Sequence, residues 1–149
     1  MSKNVIITGA TSSIGVATAK LLIENKYNVI MVGRNNCKLL EAAKKAKASE
    51  KNVYCFDNEN LNDLKSLFTS VVKDFGKLDA LICCSGYHEF RPIKILKNSD
   101  LERSFLLNSQ TTLMFAKYFS LSRYSNTGSS SIVFISSIAS LIGEAGLVS

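Results

Sequence analysis

The sequence predicts an α/β fold built on a parallel sheet that helices cover on both faces. Five short runs of consecutive apolar residues are typical of strands buried on both sides, and they alternate with segments whose apolar residues recur at helical spacing. With 149 residues, 46% of them hydrophobic, the chain has the size and the apolar content of one domain. We therefore expect a single domain over residues 1–149.

The most informative stretch is the first strand, with the loop and the helix that follow it. Apolar residues 5–7 run into Gly9, a polar turn follows, and Gly15 lies at the start of a segment with helical periodicity. Glycine lets the chain turn sharply and approach a ligand, and a helix N-terminus offers unpaired N–H groups to a phosphate. The pattern indicates a phosphate-binding loop, with a tight turn that packs the helix on the sheet as the alternative.

The spacing of this loop excludes two common nucleotide sites. A Walker loop requires glycine where Ile14 stands, and the Gly-x-Gly-x-x-Gly fingerprint requires glycine where Thr11 stands. The loop instead resembles the Thr-Gly-x-x-x-Gly-x-Gly loop of the short-chain dehydrogenase/reductase family. Residues 8–15 read Thr-Gly-Ala-Thr-Ser-Ser-Ile-Gly, so Ser13 takes the place of the middle glycine.

The remaining elements continue the alternation of strand and helix. Further strands are predicted at residues 28–35, 53–56, 78–84 and 131–136, and helices from about residue 38 to 49, from about 60 to 76, and from 99 or 100 onward. The last helix has a predicted inward stripe that contains one amide: Leu101, Phe105, Asn108, Thr112, Phe115 and Phe119. Because a buried amide must find partners, Asn108 is interpreted as either a structural bridge between helices or a site residue.

The resemblance extends over essentially the whole chain and implies a three-layer α/β/α Rossmann fold with strand order 3-2-1-4-5. It implies that Asp57 bonds the adenine of a dinucleotide, although a role in a turn is the alternative for this residue. Residues 83–86 read Cys-Cys-Ser-Gly where the family has Asn-Asn-Ala-Gly, and Cys84, Ser85 and Gly86 would line the cofactor. The pyrophosphate would be held by the first loop, through Gly9, Thr11, Ser12, Ser13, Ile14 and Gly15.

Arg34 stands at the end of the second strand, where dinucleotide-binding folds carry an acidic residue for the ribose 2′-hydroxyl. A guanidinium group there can pair with a 2′-phosphate and stack on an adenine. The sequence therefore predicts NADP(H) in preference to NAD(H). The alternative for Arg34 is a surface cation in a loop.

Members of the family transfer hydride between a nicotinamide and a carbonyl or alcohol. Ser137, after the fifth strand, matches the serine that bonds the reacting group, with an ordinary turn as the alternative, and Asn108 matches an asparagine that holds a water chain. The family's Tyr-x-x-x-Lys motif has no match here, because no tyrosine is followed four residues later by lysine. We therefore expect a truncated, N-terminal portion without its C-terminal strands and helices. It would be inactive by itself, with strand five as an exposed apolar edge.

The composition of the chain indicates which classes of partner and which cellular compartment to expect. The net charge of +6 is spread over polar helix faces, so nucleic-acid binding is not predicted. No apolar run approaches the roughly 18 residues of a membrane span, and no secretory signal fits, which predicts a cytoplasmic protein without a membrane partner. Four cysteines without a Cys-x-x-Cys pair, and the single His88, favour reduced structural thiols and no metal site.

The resemblance also implies a small carbonyl or alcohol substrate and a homo-oligomer that pairs through the long helix near Asn108. A second hypothesis is a non-catalytic NAD(P)-binding sensor or scaffold, which Ser13 and the two cysteines that replace the asparagines favour. A serine hydrolase that uses Ser137 and His88 is disfavoured, because the chain has no Gly-x-Ser-x-Gly elbow.

Overall fold

A computed structural model describes residues 2–138 and 141–142. Five parallel strands form one sheet in the predicted order, β3-β2-β1-β4-β5. The strands are β1 (Asn4–Thr8), β2 (Asn28–Gly33), β3 (Val53–Cys55), β4 (Ala80–Cys83) and β5 (Ser131–Phe134). The helices are α1 (Ser13–Glu24), α2 (Asn36–Ala46), α3 (Leu64–Phe75), α4 (Asn98–Phe105), a π-helix (Leu106–Gln110) and α5 (Thr111–Phe119). Within the described residues, none of the helices is long and apolar enough to cross a membrane.

Helices cover both faces of the sheet, which confirms the predicted three layers. Side chains alternate along each strand, so on β1 Val5 and Ile7 pack with α1 and α2, whereas Ile6 packs with α3 and α5. β2 alternates in the same way. The two hydrophobic clusters therefore lie on opposite sides of the sheet, and burial on both sides explains why the strands are apolar at consecutive positions.

β1 is the strand that brings the important loops together. It pairs with β2 on one side and with β4 on the other, and Thr8 is level with both Val32 and Cys83. The loops after β1, β2 and β4 consequently leave the sheet side by side.

The long helix predicted after residue 99 is interrupted in its middle. The N–H and the hydroxyl of Thr111 both donate to the carbonyl of Leu106, five residues earlier, and so close a π-turn. The wider turn rotates the buried face, so the predicted inward stripe is wrong in its first half: Leu101 and Phe105 are 45% and 63% exposed. The buried positions are instead Leu107, Thr111, Phe115 and Phe119.

β5 lies at the edge of the sheet with its side chains exposed. It pairs with β4 alone among the described residues. Ile132, Val133 and Phe134 are 39%, 44% and 50% exposed. The expectation of an exposed apolar edge is therefore confirmed.

The four cysteines are free thiols in different surroundings. Cys37 and Cys55 are exposed, although Cys55 belongs to a strand that is apolar in sequence. Cys83 belongs to the core cluster beneath α3 and α5, and burial raises the pKa of its thiol to about 11. Burial also raises the pKa of the half-buried Cys84. The accessible thiols are therefore those of Cys37 and Cys55.

Phe68→Ala is expected to lower the free energy of unfolding by about 3–5 kcal/mol, because it leaves a cavity in the core. Phe68 is fully buried, and its ring contacts those of Phe115, Tyr118 and Tyr124. Urea unfolding followed by circular dichroism measures the loss. Phe68→Leu is the control, since it keeps most of the apolar volume and should cost less. A loss below about 1 kcal/mol for the alanine variant would contradict the packing described here.

At about pH 8, a thiol reagent is expected to modify Cys37 and Cys55 in the folded protein and to leave Cys83 unmodified. The reason is that a thiol with a pKa of about 11 and 2% exposure presents almost no accessible thiolate. Mass spectrometry after alkylation locates the labels, and labelling in urea is the control in which all four thiols react. Fast labelling of Cys83 without urea would show that β4 is not packed as described.

Candidate functional site

The predicted site residues come together at one edge of the sheet. Because the five strands are parallel, their carboxyl ends share this edge. Gly9 follows β1, and after β3 the chain crosses β1 to form β4, so the sheet order reverses between β1 and β4. Open parallel sheets bind their ligands at such a reversal. The other strand ends carry Arg34, Asp57, Cys84 and Ser137.

Two glycines allow the first loop to pack tightly on its neighbours. Gly9 has a φ of +63°, and a β-carbon at this position would lie 2.4 Å from the backbone nitrogen of Ser85. A β-carbon at Gly15 would lie 2.5 Å from the carbonyl oxygen of Gly9. The packing of the protein itself therefore requires both glycines, as the tight-turn alternative proposed.

The same loop leaves backbone donors available at the start of α1. The Ser12 hydroxyl caps the helix by accepting the N–H of Gly15 at 3.0 Å. Within the described part of the chain, the N–H groups of Thr11, Ser13 and Ile14 have no hydrogen-bond partner, and all three residues are exposed. The 12-residue helix adds a partial positive charge at this end. The start of α1 therefore fits an anionic group such as a phosphate.

Ser13, which replaces the family's glycine, fits without backbone strain. It is the first residue of α1, and among the described residues it is not one of those with a positive φ. The replacement leaves the path of the loop intact and adds an exposed serine beside the unpartnered N–H groups.

The loop after β4 is tied to the first loop. The hydroxyls of Thr8 and Ser85 are 3.0 Å apart, and the N–H of Cys84 donates to the carbonyl of Thr8. Ser85 is one of the predicted cofactor-binding residues, whereas Thr8, which is 1% exposed, is not among them. The feature of the sequence that indicates a role for Thr8 is a polar residue at the last position of an apolar strand. Next in this loop, Gly86 lies near Asn108, since a β-carbon on Gly86 would be 3.6 Å from Asn108 Oδ1.

Asn108 holds the same loop from the opposite side. Its Oδ1 accepts the N–H of Tyr87 at 2.7 Å, and its Nδ2 donates to the Tyr87 carbonyl at 2.8 Å and to Ser104 Oγ at 3.2 Å. The predicted buried bridge between helices is therefore wrong: Asn108 is exposed, and it joins the π-helix to a loop. A π-turn often marks a functional site.

Asp57 closes the turn that follows β3. Its Oδ1 accepts the N–H of Glu59 at 3.0 Å, and its carbonyl accepts the N–H of Asn60, so the alternative role in a turn is the one observed. No partner for Asp57 Oδ2 lies within the described residues. The hydroxyl of Thr111 shares its one proton between the carbonyl of Leu106 at 2.8 Å and that of Asn58 at 3.1 Å, and the second contact holds this loop against the end of the π-helix.

Arg34 extends from the end of β2 toward the loop after β3. Its side chain is 69% exposed, and its Nη1 lies 3.9 Å from Oε1 of Glu59. The same oxygen accepts hydrogen bonds from Arg103 on α4, at 2.7 Å from Nη2 and 3.2 Å from Nε. The sequence analysis missed Glu59 and Arg103, because residues 44 positions apart show no local pattern that pairs them.

Tyr87 takes part in a hydrogen-bonded cluster beside this region. Its hydroxyl donates to Glu89, and Arg91 pairs with both Glu89 and Asp100. The bond to Glu89 raises the pKa of Tyr87 and lowers the pKa of Glu89. Since a proton donor works best with a pKa near the working pH, Tyr87 is unsuited to that role.

Ser137 lies at the same edge of the sheet, beyond β5. The N–H of Ile135 donates to the Cys83 carbonyl at 3.1 Å, so the β4–β5 ladder extends to the level where β4 ends. Ser137 follows two residues later and is exposed. The predicted site residues therefore share one edge, where unpartnered backbone donors and an exposed arginine are suited to a phosphorylated ligand such as a dinucleotide.

Comparisons with known sequences agree with this arrangement. The family described as short chain dehydrogenase matches residues 3–149. A glucose 1-dehydrogenase from Gluconobacter oxydans is 33% identical over 109 residues, which are 71% of this chain and 41% of that protein. A diacetyl reductase ((S)-acetoin forming) from Staphylococcus epidermidis is 30% identical over 115 residues, which are 76% of this chain and 45% of that protein. The chain thus matches less than half the length of these relatives.

Solved structures with bound dinucleotides have the same fold. A xylitol dehydrogenase bound to NAD⁺ superposes with a TM-score of 0.85 at 26% identity, over 97% of this chain and 56% of that one. The protein ElxO with NADP bound superposes with a TM-score of 0.83 at 28% identity, over 98% of this chain and 60% of that one. With a family match along nearly its whole length, the chain belongs to the short-chain dehydrogenase/reductase family.

Proposed function

We propose that residues 1–149 are the single cofactor-binding domain of an NADP(H)-dependent oxidoreductase. The full-length parent would transfer hydride between a nicotinamide and a carbonyl or alcohol of a small molecule. The observation that carries the proposal is the group of unpartnered N–H donors on Thr11, Ser13 and Ile14, in the described part of the chain. They stand at the reversal of the strand order, where a dinucleotide pyrophosphate is bound in this class of fold.

In this proposal the residues of the first loop have different roles in binding the pyrophosphate. The three N–H groups donate to its oxygens, and Ser12 keeps the helix start in place by capping Gly15. Gly9 and Gly15 allow the close packing that orients these donors. When bound, the nicotinamide ring would donate or accept the hydride, and the protein would hold the ring in position.

The other strand ends would bind the two riboses and the adenine. Asp57 keeps Oδ2 available for the adenine amino group while Oδ1 closes its own turn. The backbone from Cys84 through Ser85 to Gly86 would pass the nicotinamide ribose. Arg34, whose side chain is 69% exposed at the end of β2, would pair with a 2′-phosphate, which is why we propose NADP(H) in preference to NAD(H).

We further propose that these 149 residues bind cofactor and turn nothing over. Ser137 would bond the reacting group, and Asn108 would act as a positioning residue, because its amide already holds the backbone of Tyr87. The Tyr-x-x-x-Lys pair of the family has no match in the sequence, and a raised pKa makes Tyr87 no substitute. A missing proton donor typically costs 10²–10⁴-fold in rate.

A homo-oligomer is proposed to form through the helix that contains Asn108. Three large apolar residues on α4 and α5 are exposed: Leu101 at 45%, Phe105 at 63% and Leu113 at 62%. Exposed apolar residues along one helix are typical of an interaction surface. The four free thiols fit the reducing cytoplasm that we propose as the compartment.

The second candidate function is a non-catalytic NAD(P)-binding sensor or scaffold. It is favoured by Cys83 and Cys84, which stand where the family has two asparagines and which bring no amide to the site. The coding DNA beyond codon 149 separates the two candidates. A continuation with Tyr-x-x-x-Lys supports the enzyme, and a stop codon supports the sensor or scaffold.

Ser13→Pro is expected to weaken NADPH binding roughly tenfold or more, because it removes one N–H donor that would face a charged oxygen. The helix should tolerate proline as its first residue, since Ser12 is already extended, with φ −72° and ψ 159°. Fluorescence titration of the 149-residue chain with NADPH measures the affinity, and circular dichroism checks the fold.

Ser13→Gly is the matched control, because it restores the family's glycine and keeps the N–H; it should bind NADPH at least as tightly as the unmodified chain. Equal affinity of the proline variant would rule out the start of α1 as the pyrophosphate site. If the unmodified chain binds no dinucleotide, the proposed function is refuted. If it oxidises NADPH with a carbonyl substrate, the proposed lack of turnover is refuted.

Phe105→Glu is expected to convert a dimer into a monomer, because it places a charge on the apolar surface of α4. Sedimentation velocity measures the change in mass. Lys20→Glu, on the exposed side of α1 and on the opposite face of the sheet, is the control and should leave the mass unchanged. A monomeric unmodified chain, or a Phe105→Glu variant that remains dimeric, would count against pairing through this helix.

A further inference from the structure

A single carboxylate oxygen lies between two guanidinium groups beside the predicted adenosine end of the site. Oε1 of Glu59 accepts two hydrogen bonds from Arg103, at 2.7 Å and 3.2 Å, and lies 3.9 Å from Nη1 of Arg34. The three residues come from different elements: Arg34 follows β2, Glu59 follows β3, and Arg103 belongs to α4. The fold therefore assembles a place where an anionic oxygen meets two arginines.

The side chain of Arg103 is fixed by more contacts than the side chain of Arg34. Arg103 makes both hydrogen bonds to Glu59, and its guanidinium lies over the ring of Tyr87, 4.9 Å from the ring centre. Among the described residues, the side chain of Arg34 makes one long ion pair, with Glu59, and 69% of this side chain is exposed. Such an exposed pair contributes little stability, so Arg34 is readily available to another anion.

We propose that Arg103 is a second determinant of the preference for NADP(H) and that Glu59 is an internal competitor of the 2′-phosphate. This inference rests on the proposed function. A phosphate monoester carries more charge than a carboxylate and has three oxygens that can accept hydrogen bonds from both guanidinium groups. When the phosphate enters, it replaces the Glu59 carboxylate between Arg34 and Arg103, and the carboxylate turns to solvent.

The turn after β3 permits this exchange. Asp57 holds the turn closed through the backbone N–H of Glu59 and makes no use of the Glu59 side chain. Thr111 fixes the same loop through the carbonyl of Asn58. The side chain of Glu59 can therefore leave the arginines while the backbone near the adenine keeps its shape.

The proposal predicts effects that depend on the 2′-phosphate. Glu59→Gln removes the competing charge and should tighten binding of NADPH and of 2′,5′-ADP roughly fivefold, while binding of NADH stays the same. Arg103→Gln should weaken NADPH and 2′,5′-ADP by a similar factor and leave NADH unchanged. Both effects should shrink as salt is added, because the charges are partly exposed.

Titrations of the 149-residue chain and its variants with NADPH, NADH and 2′,5′-ADP measure the affinities. Glu102→Gln is the control for charge, since Glu102 neighbours Arg103 on α4 and bonds Asn98 instead. Arg123→Gln is the control for the arginine, because Arg123 also lies over a tyrosine ring, that of Tyr124. Neither control should change the ratio of NADPH to NADH affinity.

A merely structural role gives a different result. If Glu59 and Arg103 only brace the loop after β3 against α4, both variants weaken NADH and NADPH by equal factors, and an unchanged ratio of affinities overturns the inference while the proposed function stands. An unmodified chain that binds none of the three ligands overturns the proposed function and this inference together.

Discussion

The contact between Gly9 and the peptide that joins Cys84 to Ser85 is the constraint on which the site depends. It leaves no room for a side chain at position 9, where a β-carbon would lie 2.4 Å from the Ser85 nitrogen. The contact holds together two loops whose hydrogen-bonded hydroxyls, on Thr8 and Ser85, are 77 residues apart in the sequence. Because the first loop is fixed in this way, the N-terminus of α1 is presented at the carboxyl edge of the sheet.

The interrupted helix braces the other side of the same edge. Asn108, in the π-helix, holds the loop after β4 through the backbone of Tyr87, and Thr111, one turn later, holds the loop after β3 through Asn58. A regular helix would place these two side chains at a different angle to each other, since the π-turn inserts one additional residue. The irregularity therefore lets one helix secure two loops.

The positive groups at this edge of the sheet lie in a few separate places, although the chain as a whole carries a net charge of +6. The unpartnered N–H groups lie at the start of α1, and the arginines lie at the ends of other elements, where Glu59 offsets part of their charge. A phosphorylated dinucleotide needs positive potential in two separate places, one for its pyrophosphate and one for a ribose phosphate. This arrangement differs from the continuous basic surface that nucleic acids require.

Features that depend on local chemistry can be predicted from the amino-acid sequence. Consecutive apolar residues placed the strands, the glycines at 9 and 15 placed the loop, and the resemblance carried by residues 8–15 supplied the strand order that the structure confirms. The strands and the first loop were readable because each follows from neighbouring residues, whereas the strand order came from the family resemblance. The boundaries of β4 and α2 were predicted less well, because strand and helix ends are set by pairing and caps.

The contacts between distant segments are set by the packing of the whole fold. Because of the π-turn, Phe105 is exposed and Leu107 is buried. Regular helical periodicity predicts the opposite, with Phe105 buried and Leu107 exposed. Cys55 is exposed despite its apolar strand, because β3 is a short strand at the edge of the sheet. The ion pair of Glu59 with Arg103 arises only when the fold places the end of β3 beside α4. Contacts of this kind depend on three-dimensional packing, which a pattern of neighbouring residues does not encode.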